Sequence, residues 1–339
     1  MPATGATLPM SRDSSTYVAL SGGIGGAKLS LGLAQLLGGR LAVIANTGDD
    51  FEHLGLAISP DVDTTLYTLA GVANPETGWG RRDETWSFME AIAELGGPTW
   101  FKLGDRDLAT HVERTRRLRA GETPTAVTAH LAARLGVAVR VLPMADAAVR
   151  TVLETDAGTL AFQDYFVREQ CRPAVRTLRY EPADEVRLTP QIEAALSAPA
   201  LGGVILCPSN PWLSIDPILA VAGMREAIRA SGAPVIAVSP IISGKAVKGP
   251  TAKIMSELGL AADVGAIARH YGDLLDALVV DAADAAAAGA LPVRSSVANT
   301  LMQTLDDKIA LARHCVALCE RLVEPSREAG QLQPAETGR

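Results

Sequence analysis

Aromatic side chains make up only 4% of this 339-residue chain, and several familiar signatures are missing altogether. The four cysteines, Cys171, Cys207, Cys315 and Cys319, form no Cys-x-x-Cys pair, which argues against structural zinc and against a disulfide framework. Reduced, mostly buried thiols in a cytoplasmic protein are expected instead. The five histidines form no His-x-x-x-His or Glu-x-x-His pattern, so none is assigned to a metal. No Gly-x-Ser-x-Gly elbow supports a nucleophilic serine. Positive charge is not in excess: the net charge is −7, which excludes an extended nucleic-acid or polybasic membrane surface and concentrates cations in one cleft. No apolar run reaches membrane-spanning length, and residues 1–15 lack the apolar stretch of a secretory leader. Both ends, 1–15 and 325–339, read as disordered.

What is present is a strand that breaks into glycines. The apolar run Tyr17–Leu20 is followed by Ser21-Gly22-Gly23-Ile24-Gly25-Gly26-Ala27-Lys28 and then by a helical pattern carrying Leu29, Leu33, Leu36 and Leu37 on one face. Strand, glycine run and helix together aim free backbone N–H groups at a phosphate. Lys28 places a cation in the first helical turn, a conflict with the helix dipole that a bound anion relieves. The run is neither a Walker loop, since Leu29 follows the lysine, nor a dinucleotide fingerprint, since Lys28 stands where the third glycine belongs.

Short apolar runs recur at Leu41–Ala45, Val139–Leu142, Val204–Cys207, Pro234–Val238 and Ala277–Val280, separated mostly by helical patterns such as Gly223–Ala230, Thr251–Leu258 and Thr300–Leu322. That rhythm predicts an α/β fold: a Rossmann-like, doubly wound, mainly parallel sheet. Between 64 and 198 it changes to helices at Asp83–Leu95, Asp107–Arg119 and Thr125–Leu135. Alternating segments follow at Thr151–Glu154, Thr159–Phe166 and Val175–Tyr180. The expected organisation is therefore a nucleotide-binding core over 16–63 and 199–324, with an inserted α+β cap over 64–198. The apolar C-terminal helix offers a face for a homodimer.

Ligands of such sheets bind beyond the carboxyl ends of the strands. After the second strand comes Asn46-Thr47-Gly48-Asp49-Asp50, and Pro60-Asp61-Val62-Asp63-Thr64 follows. Carboxylates on neighbouring loops facing a phosphate loop suit a magnesium–diphosphate site. For Asp61, helix capping is an equal alternative. Lys102-Leu103-Gly104-Asp105-Arg106-Asp107 is a dense charge cluster: the aspartates suit a helix cap, while Lys102 and Arg106 suit a second anionic group. Pro208-Ser209-Asn210-Pro211 either reads a base or ribose or forms a turn. Ser239-Pro240-Ile241-Ile242-Ser243-Gly244-Lys245, continuing to Lys253, reads as a second anion loop.

Together with Gly78-Trp79-Gly80-Arg81-Arg82-Asp83-Glu84-Thr85-Trp86, these segments resemble, in order, the 2-phospho-L-lactate transferase family of deazaflavin coenzyme F-420 biosynthesis. The resemblance runs from about residue 17 to 320, although Gly244-Lys245-Ala246-Val247-Lys248 is more basic than is usual in the family. It implies a magnesium-dependent transferase whose donor is a guanosine diphosphate ester of lactate, enolpyruvate or glycerate. The acceptor is 7,8-didemethyl-8-hydroxy-5-deazariboflavin (Fo), and GMP leaves. On that reading Gly22, Gly23, Gly25, Gly26 and Lys28 hold the diphosphate. Asn46, Ser209, Asn210, Ser239, Ser243 and Lys253 serve the guanosine side. Asp49, Asp50 and Asp63 are catalytic, Asp49 and Asp63 hold the metal, and Asp63, Lys102, Asp105 and Arg106 meet Fo. Two other readings remain, a nicotinamide-dependent oxidoreductase and a non-catalytic nucleotide-binding regulator.

Overall fold

The computed structural model describes residues 14–247 and 249–329; the disorder expected for 1–13 and 330–339 lies outside the described residues. The chain enters as β1 (Thr16–Ser21), passes through α1 (Gly23–Leu37) and returns as β2 (Leu41–Ala45). A short hairpin, β3 (Phe51–His53) and β4 (Leu56–Ile58), leads into α2 (Pro60–Leu69), α3 (Ser87–Glu94), α4 (Asp105–Arg119) and α5 (Pro124–Arg134). Strand β5 (Arg140–Pro143) precedes an antiparallel trio, β6 (Arg150–Thr155), β7 (Gly158–Ala161) and β8 (Val175–Glu181). Then come α6 (Pro190–Leu196), β9 (Leu201–Leu206), α7 (Asp216–Ala220), α8 (Met224–Ala230) and β10 (Val235–Val238). The two-residue strands β11 (Ile241–Ile242) and β12 (Lys245–Ala246) form a hairpin ahead of α9 (Thr251–Glu257) and α10 (Val264–Tyr271). The chain closes with β13 (Ala277–Asp281), α11 (Ala285–Ala288), β14 (Arg294–Ala298) and α12 (Leu305–Ala329).

Seven strands make one parallel sheet in the order β14-β13-β10-β9-β1-β2-β5. The order runs outward from β1 in both directions, first through β2 and β5, then through β9, β10, β13 and β14. It therefore reverses between β1 and β9, the crevice where doubly wound sheets bind ligands. Strand β1 shows how the sequence fills both faces. Tyr17 and Ala19 pack with α1, α2, α5 and α12, whereas Val18 and Leu20 pack with α6–α10 and the antiparallel trio. Period-two alternation buried on both sides is why the strand reads as one continuous apolar run.

Three boundaries differ from the sequence expectation. Segment 64–198 is not one inserted cap, because β5 pairs with β2 inside the main sheet (Val43 opposite Val141). The additions are two, a helical one before α5 and the β6–β8 trio after β5. Strand β14 has no counterpart in the sequence reading: it is a half-exposed edge strand, Arg-Ser-Ser-Val-Ala, without an apolar run. The last helix begins at Leu305 rather than Thr300, since the Thr304 hydroxyl accepts from Asp307 N–H and the Asp307 carboxylate accepts from Thr304 N–H. It continues as helix through 325–329, which were expected to be disordered. Its apolar stripe, including Leu311, Ala312, Cys315 and Cys319, is buried with α1 and the sheet, so that stripe is core and not a dimer face. Among the described residues no helix is long and apolar enough to cross a membrane.

Candidate active site

The glycine run sits at the sheet reversal, and its contacts explain most of its composition. Gly22 N–H donates to Ser209 Oγ at 3.2 Å, and that hydroxyl donates back to Gly22 O at 2.8 Å, which ties the exits of β1 and β9 together. A Cβ on Gly25 would stand 2.3 Å from the Pro208 carbonyl oxygen, and one on Gly26 would lie within 2.6 Å of the Ser21 and Ser209 hydroxyls. These two glycines let α1 start against the Pro208–Ser209 loop. Gly23 differs: its φ is +62° and a Cβ would meet nothing within 4 Å. Its amide donates to Asp61 Oδ1 at 2.7 Å. The N–H groups of Ile24 and Gly25 belong to the first turn of α1, where a helix supplies no acceptor of its own.

Asp61 is thus a cap, but of a helix 38 residues before it rather than of α2, on which it sits. Its other oxygen accepts from Asn46 Nδ2 at 2.9 Å, and the same amide reaches Asp49 Oδ1 at 3.2 Å and Leu213 O at 3.3 Å. Asn46 also accepts from Gly48 N–H through Oδ1 at 2.8 Å, so it organises the loop after β2 around itself.

Three buried carboxylates, Asp49, Asp61 and Asp63, and the half-buried Asp50 gather at this end of the sheet. Burial pushes Asp50 up to about 7, although a hydrogen bond from Ser59 Oγ (2.8 Å) opposes the rise. Asp61 rises to about 6, again through burial. Asp49 lies well above the carboxylate range because burial is reinforced by the charges of Asp61 and Asp50. Asp63 is raised by burial against the pull of Arg114, with which it forms a buried ion pair. Asp50 Oδ1 and Asp63 Oδ2 have no hydrogen-bond partner among the described residues.

The partners of Asp63 come from α4. His111 Nδ1 lies 3.6 Å from Asp63 Oδ2, His111 Nε2 lies 3.3 Å from Asp107 Oδ2, and Tyr67 OH donates to Asp107 at 2.7 Å. Asp63, Asp107 and His111 offer three ligand atoms within 4.8 Å of one another. Arg114, however, also lies 3.1 Å from His111 Nδ1, so a guanidinium already fills the cationic place in that group. The hard-oxygen set nearer the glycine run suits magnesium better.

Beside Asp50 lies a cavity of about 150 Å³ with apolar walls from Phe51, Ile58, Val62 and Val127, and with Arg114 and Arg150 in its lining. Neither arginine nor His111 was singled out in the sequence. The available signal was the stripe Asp107, His111, Arg114 at i, i+4 and i+7 on α4, three ionisable side chains on one helix face. A short aromatic wall adjoins it: Phe51, His53, Trp100 and Phe101 lie within 6.0 Å of one another by ring centroid, and Arg168 covers Trp100 at 4.4 Å.

The remaining sequence candidates have local partners. Lys28 Nζ donates to Met302 O at 2.9 Å, beside the loop that follows β14. Asn210 Oδ1 accepts from Trp212 and Leu213 N–H, closing a helical turn, while its buried Nδ2 has no partner among the described residues. Ser239 Oγ is engaged by Ile241 on both sides. Ser243 N–H donates to Asp284, and Lys253 pairs with Glu257 and donates to Pro173 O at 2.9 Å. The structure does not bring Lys253 to the glycine run. Asp105 caps α3 by accepting from Ser87 and Phe88 N–H, and Glu84 in return accepts from Arg106 and Asp107 N–H at the start of α4. Lys102 and Arg106 keep exposed side chains near this crossing.

Comparison with known proteins gives this arrangement its family. The model of the 2-phospho-L-lactate transferase family matches residues 17–314. The chain belongs to that family. Curated relatives named phosphoenolpyruvate transferase occur in Streptomyces griseus and Kitasatospora aureofaciens. The first is 41% identical over 315 residues, 90% of this chain and 98% of the relative. The second is 44% identical over 317 residues, with the same coverage. Among solved structures, a UPF0052 protein of Bacillus halodurans shares the fold, with a TM-score of 0.60 at 13% identity over 89% of this chain and 98% of that one. As a member of the 2-phospho-L-lactate transferase family, the protein is a transferase, and the nicotinamide oxidoreductase and binding-only readings fall away.

Proposed function

We propose that the protein transfers an enolpyruvyl phosphate group from its guanosine diphosphate ester to the terminal ribityl hydroxyl of Fo, in deazaflavin coenzyme biosynthesis. The observation that carries this reading is the convergence, at one sheet reversal, of a glycine-built helix N-terminus with four carboxylates, three of them buried. The names of the relatives favour enolpyruvate as the acid. The hydroxyl oxygen attacks the phosphorus bearing the acid, a P–O bond of the diphosphate breaks, and GMP departs with the bonding electrons. The hydroxyl proton passes to a carboxylate, with Asp63 and Asp50 as the candidates.

Each protein group has a separate task. The Ile24 and Gly25 N–H groups face the diphosphate, and Asn46 with Asp61 fixes the start of α1. Arg114 holds Asp63 in one orientation, which favours alignment over covalent participation, as phosphoryl transfer requires. The cavity beside Asp50 has room for a three-carbon acid, and Arg150 offers the acid a counter-charge. The unpartnered oxygen of Asp50, with Asp49 in the same charge-coupled cluster, offers hard donors that fit magnesium, while Asp63 keeps its ion pair with Arg114. When bound, that ion offsets the charge shared by carboxylates and diphosphate.

Incubation of the protein with Fo, the enolpyruvyl guanosine diphosphate ester and magnesium, read by mass spectrometry, tests the reading. Fo carrying an enolpyruvyl phosphate and an equal amount of GMP are expected, with no product in excess chelator. Unchanged Fo in the presence of magnesium overturns the reaction, and full turnover in chelator overturns the metal.

A further inference from the structure

A tryptophan displayed at the mouth of the cleft has no part in the chemistry above. Residues 72–82 form a closed loop: Ala73 bridges Arg81 in antiparallel fashion, Arg82 N–H donates to Val72 O at 2.9 Å, and Asn74 N–H donates to Gly80 O at 3.1 Å. Asn74 O in turn accepts from Gly78 N–H at 3.0 Å. Gly78 (φ +79°) and Gly80 (φ +68°) flank Trp79, and the Thr77 hydroxyl donates to Trp79 O at 2.7 Å. The backbone around Trp79 is therefore held on both sides while its indole is left 46% exposed. A large ring held in water on a fixed backbone is available to stack on another molecule.

The tip packs against the start of α1. A Cβ on Gly78 would come within 2.9 Å of Ile24, so the loop rests on the second residue of α1, next to open Gly23. The loop is also tied to the carboxylate network, since the Arg81 guanidinium lies 5.6 Å from the Tyr67 ring centroid and Tyr67 donates to Asp107. The other tryptophans are differently placed. Trp212 is buried and Trp100 is packed among aromatics and covered by Arg168, whereas Trp86, also exposed at 39%, stands at the start of α3 and not on the loop against α1.

We propose that Trp79 is a stacking platform for a flat heteroaromatic ring bound beside the start of α1. The inference rests on the function proposed above, which supplies two such rings, guanine and the deazaflavin. Base–aromatic stacking tolerates any planar ring, so one platform chemistry serves either, and the experiment separates them.

Calorimetry with GDP alone, Fo alone and inorganic phosphate alone is run on the parent, Trp79→Ala and Trp79→Phe, with Leu95→Ala, an exposed side chain at the end of α3, as a surface control. Trp79→Ala is expected to weaken one ring-bearing ligand by roughly 5–150-fold, the range measured for single stacked bases. Trp79→Phe recovers most of the loss, phosphate binding stays within about twofold, and Leu95→Ala behaves as the parent. A loss confined to GDP assigns the platform to guanine, and a loss confined to Fo assigns it to the acceptor. Unchanged affinity for both rings in Trp79→Ala, or an equal loss for phosphate, overturns stacking while leaving the reaction standing. A parent that binds neither ring overturns both.

Discussion

Two segments of this chain place glycine and lysine ahead of a helix, and they finish in different structural roles. Gly22–Lys28 lies at the reversal between β1 and β9, where Ser209 and Asp61 pin the start of α1. Gly244–Lys253 follows β10 within a run of strands that does not reverse, and its first part lies at the exposed tip of the β11–β12 hairpin. There Ser243 is held by Asp284, and Lys253 by Glu257. Composition sets what a backbone can do; strand order decides whether a cleft is there to use it.

The contrast can be broken most sharply at Gly25. Gly25→Val drives side-chain atoms into the Pro208 carbonyl and is expected to cost about 3 kcal/mol, the upper end for overpacking. GDP binding is lost with it, as read by denaturant melts and calorimetry. Gly23→Ala, in open space, retains the fold and loses only about 1 kcal/mol through its left-handed backbone. If the Gly25 and Gly23 variants behave alike, the packing account of the run is wrong.

Next in size is Asp63→Asn, which removes the partner of buried Arg114 as well as the aligned carboxylate. Turnover is expected to fall by about two powers of ten. Because an uncompensated buried guanidinium also costs stability, about 3 kcal/mol, melting is measured alongside steady-state rates. Near-normal turnover would transfer the aligning role to Asp50.

A smaller effect separates the two regions by pH. The folded-state carboxyl of Asp50, at about 7, lies above its unfolded value, so the folded protein binds the extra proton between about pH 4 and 7. Stability from this group is present below the unfolded value and is lost as pH rises through the folded one. In chelator, the melting temperature of the parent relative to Asp50→Asn is expected to fall from pH 5 to pH 8. A flat difference contradicts the burial described here. The smallest change is expected at the other loop, where Lys253→Met leaves GDP affinity within about twofold at low and high salt. A salt-dependent loss there restores the second segment as an anion site.

Most of the sheet was legible because strands buried on both faces must be short apolar runs, as at Leu41–Ala45 and Val204–Leu206. Edge strand β14 was not, since half its residues face water and serines satisfy it. The placement of β5 in the main sheet was equally hidden, because pairing with β2 is a long-range fact with no local mark. In the site, the glycines and aspartates were visible as residue types in loops, but their partners were not. Asp61 caps a helix formed 38 residues earlier, and Arg114 reaches Asp63 from 51 residues away. Sequence proximity encoded the loops and tertiary distance encoded the charges.

The bond between Gly22 and Ser209 joins residues 187 positions apart, which has a consequence during synthesis on the ribosome. At typical elongation rates of about 5–20 residues per second, roughly 10–40 s pass between the making of the glycine run and the making of its partner. Strands β2 and β5 emerge in that interval and can dock on one side of β1, while the other side waits for β9. The nascent protein therefore holds half a sheet before it holds a cleft, and a ligand of that cleft can act on folding only after β9 and its loop have cleared the exit tunnel.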